Sequence, residues 1–161
     1  MERYHSHLLY KNIGPEGQKK LSSSTITIVG IGAIGSIAAE VLSRAGVGKL
    51  ILIDRDYVEL SNLQRQFLYT EKDIGKAKAN AAYKRLRDIN HNTKVVSKPI
   101  SLYYKNVQEI GSPNIILCCT DNILSRLLIN DYSLKNNIPC IIGGAVADKG
   151  FMYVVEGRPC F

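Results

Sequence analysis

Apolar residues along the chain fall into two kinds of pattern. TITIV at 25–29 is rich in β-branched residues, and LILI at 50–53 and NIILCC at 114–119 are short apolar runs. Such runs suit strands buried on both faces of a parallel sheet. Further strands are expected at 94–100, at 138–143 (IPCIIG) and at 151–155 (FMYVV). Between them the period changes to that of a helix. One helix runs from the glycine turn at 30–35 to about Ala45, ended by Gly46 and Gly48. Others are expected at 76–90 and 121–136, with a weak helical stretch at 103–110. The segment 54–73 is polar and reads as a loop. Alternating strand and helix predicts an α/β fold, a Rossmann-like, doubly wound, mainly parallel sheet with helices on both faces. The right-handed crossover rule makes the first strands parallel. Ser22-Ser23-Ser24 separates an N-terminal arm, 1–21, from one domain, 22–161.

Composition narrows this picture. The apolar share of 45% and the charged share of 22% over 161 residues are those of an ordinary globular domain. No apolar run reaches the roughly 18 residues of a membrane span. The N-terminus does not read as a secretory signal, so a cytoplasmic protein is expected. Cys118, Cys119 and Cys140 sit in apolar runs and are expected as buried thiols. With no Cys-x-x-Cys pair, a complete zinc site from one chain is not expected. The net charge of +7 is spread along the chain. It reads as solvated surface charge or as attraction for an acidic partner or phosphate, ahead of specific nucleic-acid binding.

The chemistry starts at Gly30-x-Gly32-x-x-Gly35, between a strand and a helix. The first glycine allows a tight turn, the second lets the backbone approach phosphate, and the third lets helix and strand pack closely. The helix N-terminus offers free N–H groups to an anion. Asp54 closes the second strand, where a carboxylate accepts hydrogen bonds from ribose hydroxyls; a turn-capping role competes. To this point NAD and ATP are equally good ligands.

The next residues separate them. A triphosphate needs cations beyond the helix N-terminus, and Arg65 in the polar loop offers a forked donor. Lys78 falls near the middle of an apolar helix face formed by Ile74, Ala77, Ala81, Ala82, Leu86 and Ile89, with Arg85 on the same side. A lysine there needs an anionic partner or a path to solvent. Asp121 and Asn122 follow the strand at 114–119, at the edge where α/β folds bind ligands. Asp121 is either a Mg²⁺ ligand or the N-cap of the next helix.

Several segments taken together resemble the ThiF/MoeB/HesA family, relatives of the ubiquitin-activating enzymes. They are Arg3-Tyr4, Gly14-x-x-Gly17-Gln18-x-x-Leu21, Ile28 through Gly35, Ala45 through Leu50, Asp54-x-Asp56-x-Val58-x-Leu60-Ser61-Asn62-Leu63-Gln64-Arg65-Gln66, Asp73 through Ala79, and Cys119-Thr120-Asp121-Asn122. The resemblance spans essentially the whole chain. It implies ATP-dependent adenylation of the C-terminal glycine of a ubiquitin-like sulfur carrier, with Mg²⁺, in a homodimer. It implies that Gly30, Gly32, Ala33, Gly35, Asp54 and Asp56 hold the nucleotide. Ser61, Asn62, Arg65 and Gln66 would then line it, with Lys78 beside the phosphates, Asp121 on Mg²⁺ and Asn122 next to it. Arg65, Lys78 and Asp121 would carry the catalysis.

Three positions depart from the family pattern. Ser6 stands where the family often has an arginine that reaches the partner subunit's ATP. Ala33 stands where a glycine is usual. Cys160 matches only the first ligand of the family's zinc site, so zinc is not expected here, and the zinc and carrier-handling part is expected to be missing. These departures keep open a catalytically incomplete nucleotide-binding or dimerising module. An NAD-dependent oxidoreductase rests only on the glycine turn and Asp54. Adenylation of a modified tRNA base, as in some relatives, is permitted by the positive charge.

Overall fold

The structure, a computed structural model, describes residues 2–157. Six strands form one sheet in the order β3-β2-β1-β4-β5-β6. They are β1 (Thr25–Val29), β2 (Lys49–Ile53), β3 (Lys94–Lys98), β4 (Ile115–Cys118), β5 (Cys140–Val146) and β6 (Lys149–Val155). All pairs are parallel except β5 with β6, an antiparallel hairpin. The helices are α1 (His5–Leu9), α2 (Gly14–Ser23), α3 (Ala33–Ala45), α4 (Lys78–Ile89) and α5 (Ile123–Lys135).

The apolar runs behave as the sequence predicts, because side chains of one strand alternate between two faces. Ile26, Ile28, Leu50 and Leu52 enter a core with Ala39 of α3 and Ala81, Ala82 and Leu86 of α4. Val29, Ile51, Ile53, Ile116 and Cys118 enter a second core with Ile129 of α5. Helices therefore cover both faces of the sheet. No helix among the described residues is long and apolar enough to cross a membrane.

Several boundaries differ from expectation. The helix expected at 76–90 begins only at Lys78. The residues before it are held in another way: Glu71–Asp73 form a 3₁₀ turn, Gly75 takes a φ of 82° and Tyr57 bridges to Ala77. Ile74 is therefore outside the helix and exposed, and Arg85 is exposed as well, so neither belongs to the buried face of α4. The weak helix expected at 103–110 shrinks to a 3₁₀ turn at Val107–Ile110, and the strand expected at 94–100 stops at Lys98. Asp121 is not the N-cap of α5. Asn122 is: its side chain accepts the Ser125 N–H at 2.8 Å.

The arm is a docked element. α2 continues through Ser22 and Ser23, so the serine cluster closes a helix. Gln18 donates to the Ala45 carbonyl, and Asn90 donates to the Tyr4 hydroxyl, tying the arm to the ends of α3 and α4.

Candidate nucleotide site

The strand order reverses between β1 and β4, and in open α/β sheets ligands bind at that point, beyond the carboxyl ends of the strands. A cleft of about 880 Å³ opens there. Its floor is the turn from β1 into α3. Gly30 has a φ of 87°, and a Cβ on it would come within 2.8 Å of the Cys119 carbonyl oxygen. A Cβ on Gly35 would overlap the Gly30 carbonyl oxygen. A Cβ on Gly32 would meet nothing nearer than the Gln66 Nε2, at 3.8 Å. The first and third glycines thus build the turn. The second, with Ala33, faces the cleft. Helix α3 has no side-chain cap, so its first N–H groups are available to an anion.

Asp54 is buried at the end of β2. Its Oδ2 accepts the Ile31 N–H at 2.6 Å and its Oδ1 accepts the Asp56 N–H at 2.8 Å. Burial pushes its carboxyl above the usual carboxylate range, against the pull of the two backbone N–H groups and of Lys78. The same carboxylate lines the cleft.

Positive charge enters from three elements. Lys78 opens α4, its side chain only 8% exposed, and its Nζ lies 3.4 Å from the half-exposed Asp56 carboxylate. The buried lysine thus has an anionic partner. Arg65 is exposed and donates to the Ser61 carbonyl at 3.0 Å. Arg126, at the end of the first turn of α5, lines the cleft from the β4–β5 side and was not singled out from the sequence. Its Nε and Nη2 donate to the Thr120 carbonyl at 3.0 and 2.8 Å, and its guanidinium lies 5.0 Å from the centre of the Phe151 ring. The available signal was its spacing: four residues after Asn122, one helical turn returns a side chain to the strand end.

Of the other expected residues, Asn62, Gln66, Asp121 and Asn122 line the cleft. Ser61 and Gly35 do not. Ser61 is exposed, its hydroxyl bonded to Glu59, and Gly35 is buried in the turn. The Gln66 Oε1 is buried without a hydrogen-bond partner, which leaves the segment with unused polar capacity beside the glycine turn.

The donor set fits a nucleotide: an open glycine turn, a helix N-terminus and four cations, Arg55, Arg65, Lys78 and Arg126, around one cleft. For a metal, no group of three or more His, Cys, Asp or Glu side chains among the described residues is placed to hold an ion. Mg²⁺ commonly binds through one or two carboxylates plus substrate phosphates, a mode that needs no such group, and Asp121 lines the cleft. Cys118 and Cys140 are buried and Cys119 is partly so, all three as free thiols; Cys160 lies outside the described residues.

Comparison with known proteins places this geometry in a family. The ThiF family model matches residues 4–161. The sulfur carrier protein ThiS adenylyltransferase of Bacillus subtilis (strain 168) is 45% identical over 98% of this chain and 48% of its own length. The sulfur carrier protein adenylyltransferase of Thermus thermophilus is 37% identical over the whole of this chain and 62% of its own length. The chain therefore spans about half to three fifths of these relatives. Among solved structures, E. coli MccB with ATP superposes with a TM-score of 0.83 at 30% identity, covering 91% of this chain and 45% of MccB. E. coli tRNA N6-threonylcarbamoyladenosine dehydratase, TcdA, in complex with AMP also gives 0.83, at 29% identity, covering 89% of this chain and 60% of TcdA. The chain belongs to the ThiF family.

Proposed function

We propose that this ThiF-family chain binds ATP with Mg²⁺ in the cleft and adenylates the C-terminal carboxylate of a ubiquitin-like sulfur carrier protein. The observation that carries the reading is the convergence of the Gly32–Ala33 backbone, Lys78, Arg65 and Arg126 on one cleft beyond β1 and β4. The names of the curated relatives supply the class of acceptor.

ATP supplies the electrophilic α-phosphorus and pyrophosphate as leaving group. A carboxylate oxygen of the carrier forms the new bond to that phosphorus, the bond to the bridging oxygen breaks, and its electrons leave on pyrophosphate. No side-chain nucleophile is needed, so this chain's residues act by positioning and by neutralising charge. The α3 N-terminus, Lys78 and Arg65 hold the phosphates, and Asp121 holds Mg²⁺ against them. Asn62, Gln66 and Asp56 complete the wall, with Asn122 fixing the turn next to Asp121. Asp54 reaches the ribose with whatever hydrogen-bonding capacity its backbone contacts leave free. The acting form is a homodimer in the cytoplasm.

Carrier-dependent exchange of labelled pyrophosphate into ATP tests the reading. Exchange that appears only with a cognate carrier supports it, and folded protein giving none with any carrier sinks it. Ser6 favours a second reading, a nucleotide-binding or dimerising module without turnover, since no arginine stands there to reach a partner's phosphates. Calorimetric ATP·Mg²⁺ binding without exchange selects that reading, and measured pyrophosphate release rejects it.

A further inference from the structure

We infer that Tyr69 is a positioning residue that aims the Gly32 N–H into the cleft and joins the glycine turn to the segment carrying Asn62 and Arg65. The inference rests on the reading that the cleft takes nucleotide phosphates.

Tyr69 is 5% exposed, and its hydroxyl donates to the Ile31 carbonyl at 2.8 Å, across 38 residues of sequence. On the other side of Ile31, the N–H is held by Asp54 at 2.6 Å. Both peptide units flanking Ile31 are therefore held by side chains from other segments, Asp54 on one and the buried Tyr69 on the other, and the Ile31 side chain is fully buried. In a planar trans peptide the C=O and the following N–H point in opposite directions. Drawing the Ile31 carbonyl to the buried Tyr69 hydroxyl turns the Gly32 N–H to the other side, where Gly32 lines the cleft.

Gly32 has no Cβ to restrict rotation of that peptide. The Tyr69 hydroxyl fixes its orientation by holding the Ile31 carbonyl. Burial pushes the Tyr69 hydroxyl above the ordinary tyrosine value, so it keeps its proton and remains a donor. Tyr69 is also tied to the cation-bearing segment: its N–H donates to the Gln66 carbonyl, and the Gln66 N–H donates to the Asn62 carbonyl. One buried hydrogen bond thus connects two phosphate-binding elements from distant parts of the chain.

Tyr69→Phe removes the hydroxyl and keeps the ring in its core position. Two readouts decide the matter: titration calorimetry with ATP and with adenosine, and amide hydrogen exchange. The expected result is about a tenfold loss of ATP affinity with adenosine affinity unchanged. Exchange is expected to rise at residues 30–35 and stay as before in β1. Unchanged ATP affinity, an equal loss for ATP and adenosine, or exchange rising across the whole sheet overturns the inference. Wild-type protein that binds no ATP removes the phosphate reading and the inference together. Wild-type protein that binds ATP as tightly as Tyr69→Phe removes the inference alone.

Discussion

The buried ammonium of Lys78 is held by Asp56 twice over: its Nζ lies 3.4 Å from the Asp56 carboxylate, and its backbone N–H donates to the Asp56 carbonyl at 2.8 Å. The carboxylate is the anionic partner of the lysine, so a phosphate binding there would have to share it. Lys78 is thereby paired within the chain, and an incoming phosphate would compete with Asp56 for it.

Asp56→Asn keeps the shape and removes the competing charge. ATP affinity is expected to rise about threefold, while Lys78→Met lowers it about tenfold or more. In the Lys78→Met background, Asp56→Asn should change affinity less, because the Lys78 pair is gone and only the 3.6 Å pair with Arg55 remains. Titration calorimetry on the four proteins reads the cycle, and equal Asp56→Asn effects in both backgrounds rule out the competition.

Gly35→Ala and Gly32→Ala should separate folding from binding. The Cβ at Gly35 overlaps the Gly30 carbonyl oxygen, so a cost of about 3 kcal/mol or more in unfolding free energy is expected. The Cβ at Gly32 would make only an ordinary contact, 3.8 Å from the Gln66 Nε2, at a φ of −83°, so the variant should stay folded and bind ATP poorly, since Gly32 lines the cleft. Urea denaturation and ATP titration of both variants check this. A stable Gly35→Ala protein contradicts the packing argument.

Arg126→Ala removes two donors from the Thr120 carbonyl and the guanidinium that stacks on Phe151. A loss of about 1–2 kcal/mol in stability is expected, with weaker pyrophosphate exchange. Arg126→Lys should recover little of either, since an ammonium lacks the planar fork and the stacking face. Full recovery by lysine reduces the role of Arg126 to simple charge.

The cysteines provide a pH-dependent check. Burial, aided by neighbouring cysteines, pushes the Cys119 and Cys140 thiols up to about 12, from an ordinary value of 9.0. At pH 8 their thiolate fraction is about a thousandfold below that of unfolded cysteine. Iodoacetamide labelling read by site-resolved mass spectrometry should be correspondingly slow in native protein and fast in urea. These raised values favour the folded state below pH 9, and that contribution is lost as the pH rises from 9 through 12. Rapid native labelling of Cys140 at pH 8 contradicts its burial.

Much of the molecule is legible along the chain. Runs such as LILI have no polar side for water, so they commit to a sheet covered on both faces. The 30–35 turn announces itself because Gly30 needs a positive φ and Gly35 leaves no room for a methyl. The run from Ser61 to Gln66, with Lys78 and Asp121, identified the ThiF family and pointed to one cleft, and the structure brings Asn62, Arg65, Gln66, Lys78 and Asp121 to its wall.

Other features were decided only by tertiary structure. Lys78 was expected to need an anion or a path to solvent, but that Asp56 supplies the anion depends on how the 54–77 segment folds back, through the bridge between Tyr57 and Ala77. The cap of α5 fell to Asn122, whose side chain rather than that of Asp121 accepts the Ser125 N–H. Arg126 reaches the cleft by turning back on Thr120, and Tyr69 reaches Ile31 across 38 residues. Local propensity and periodicity specify elements and faces. Contacts between distant segments follow from how those elements pack, which is why the turn could be read from the sequence and the residues that clamp it could not.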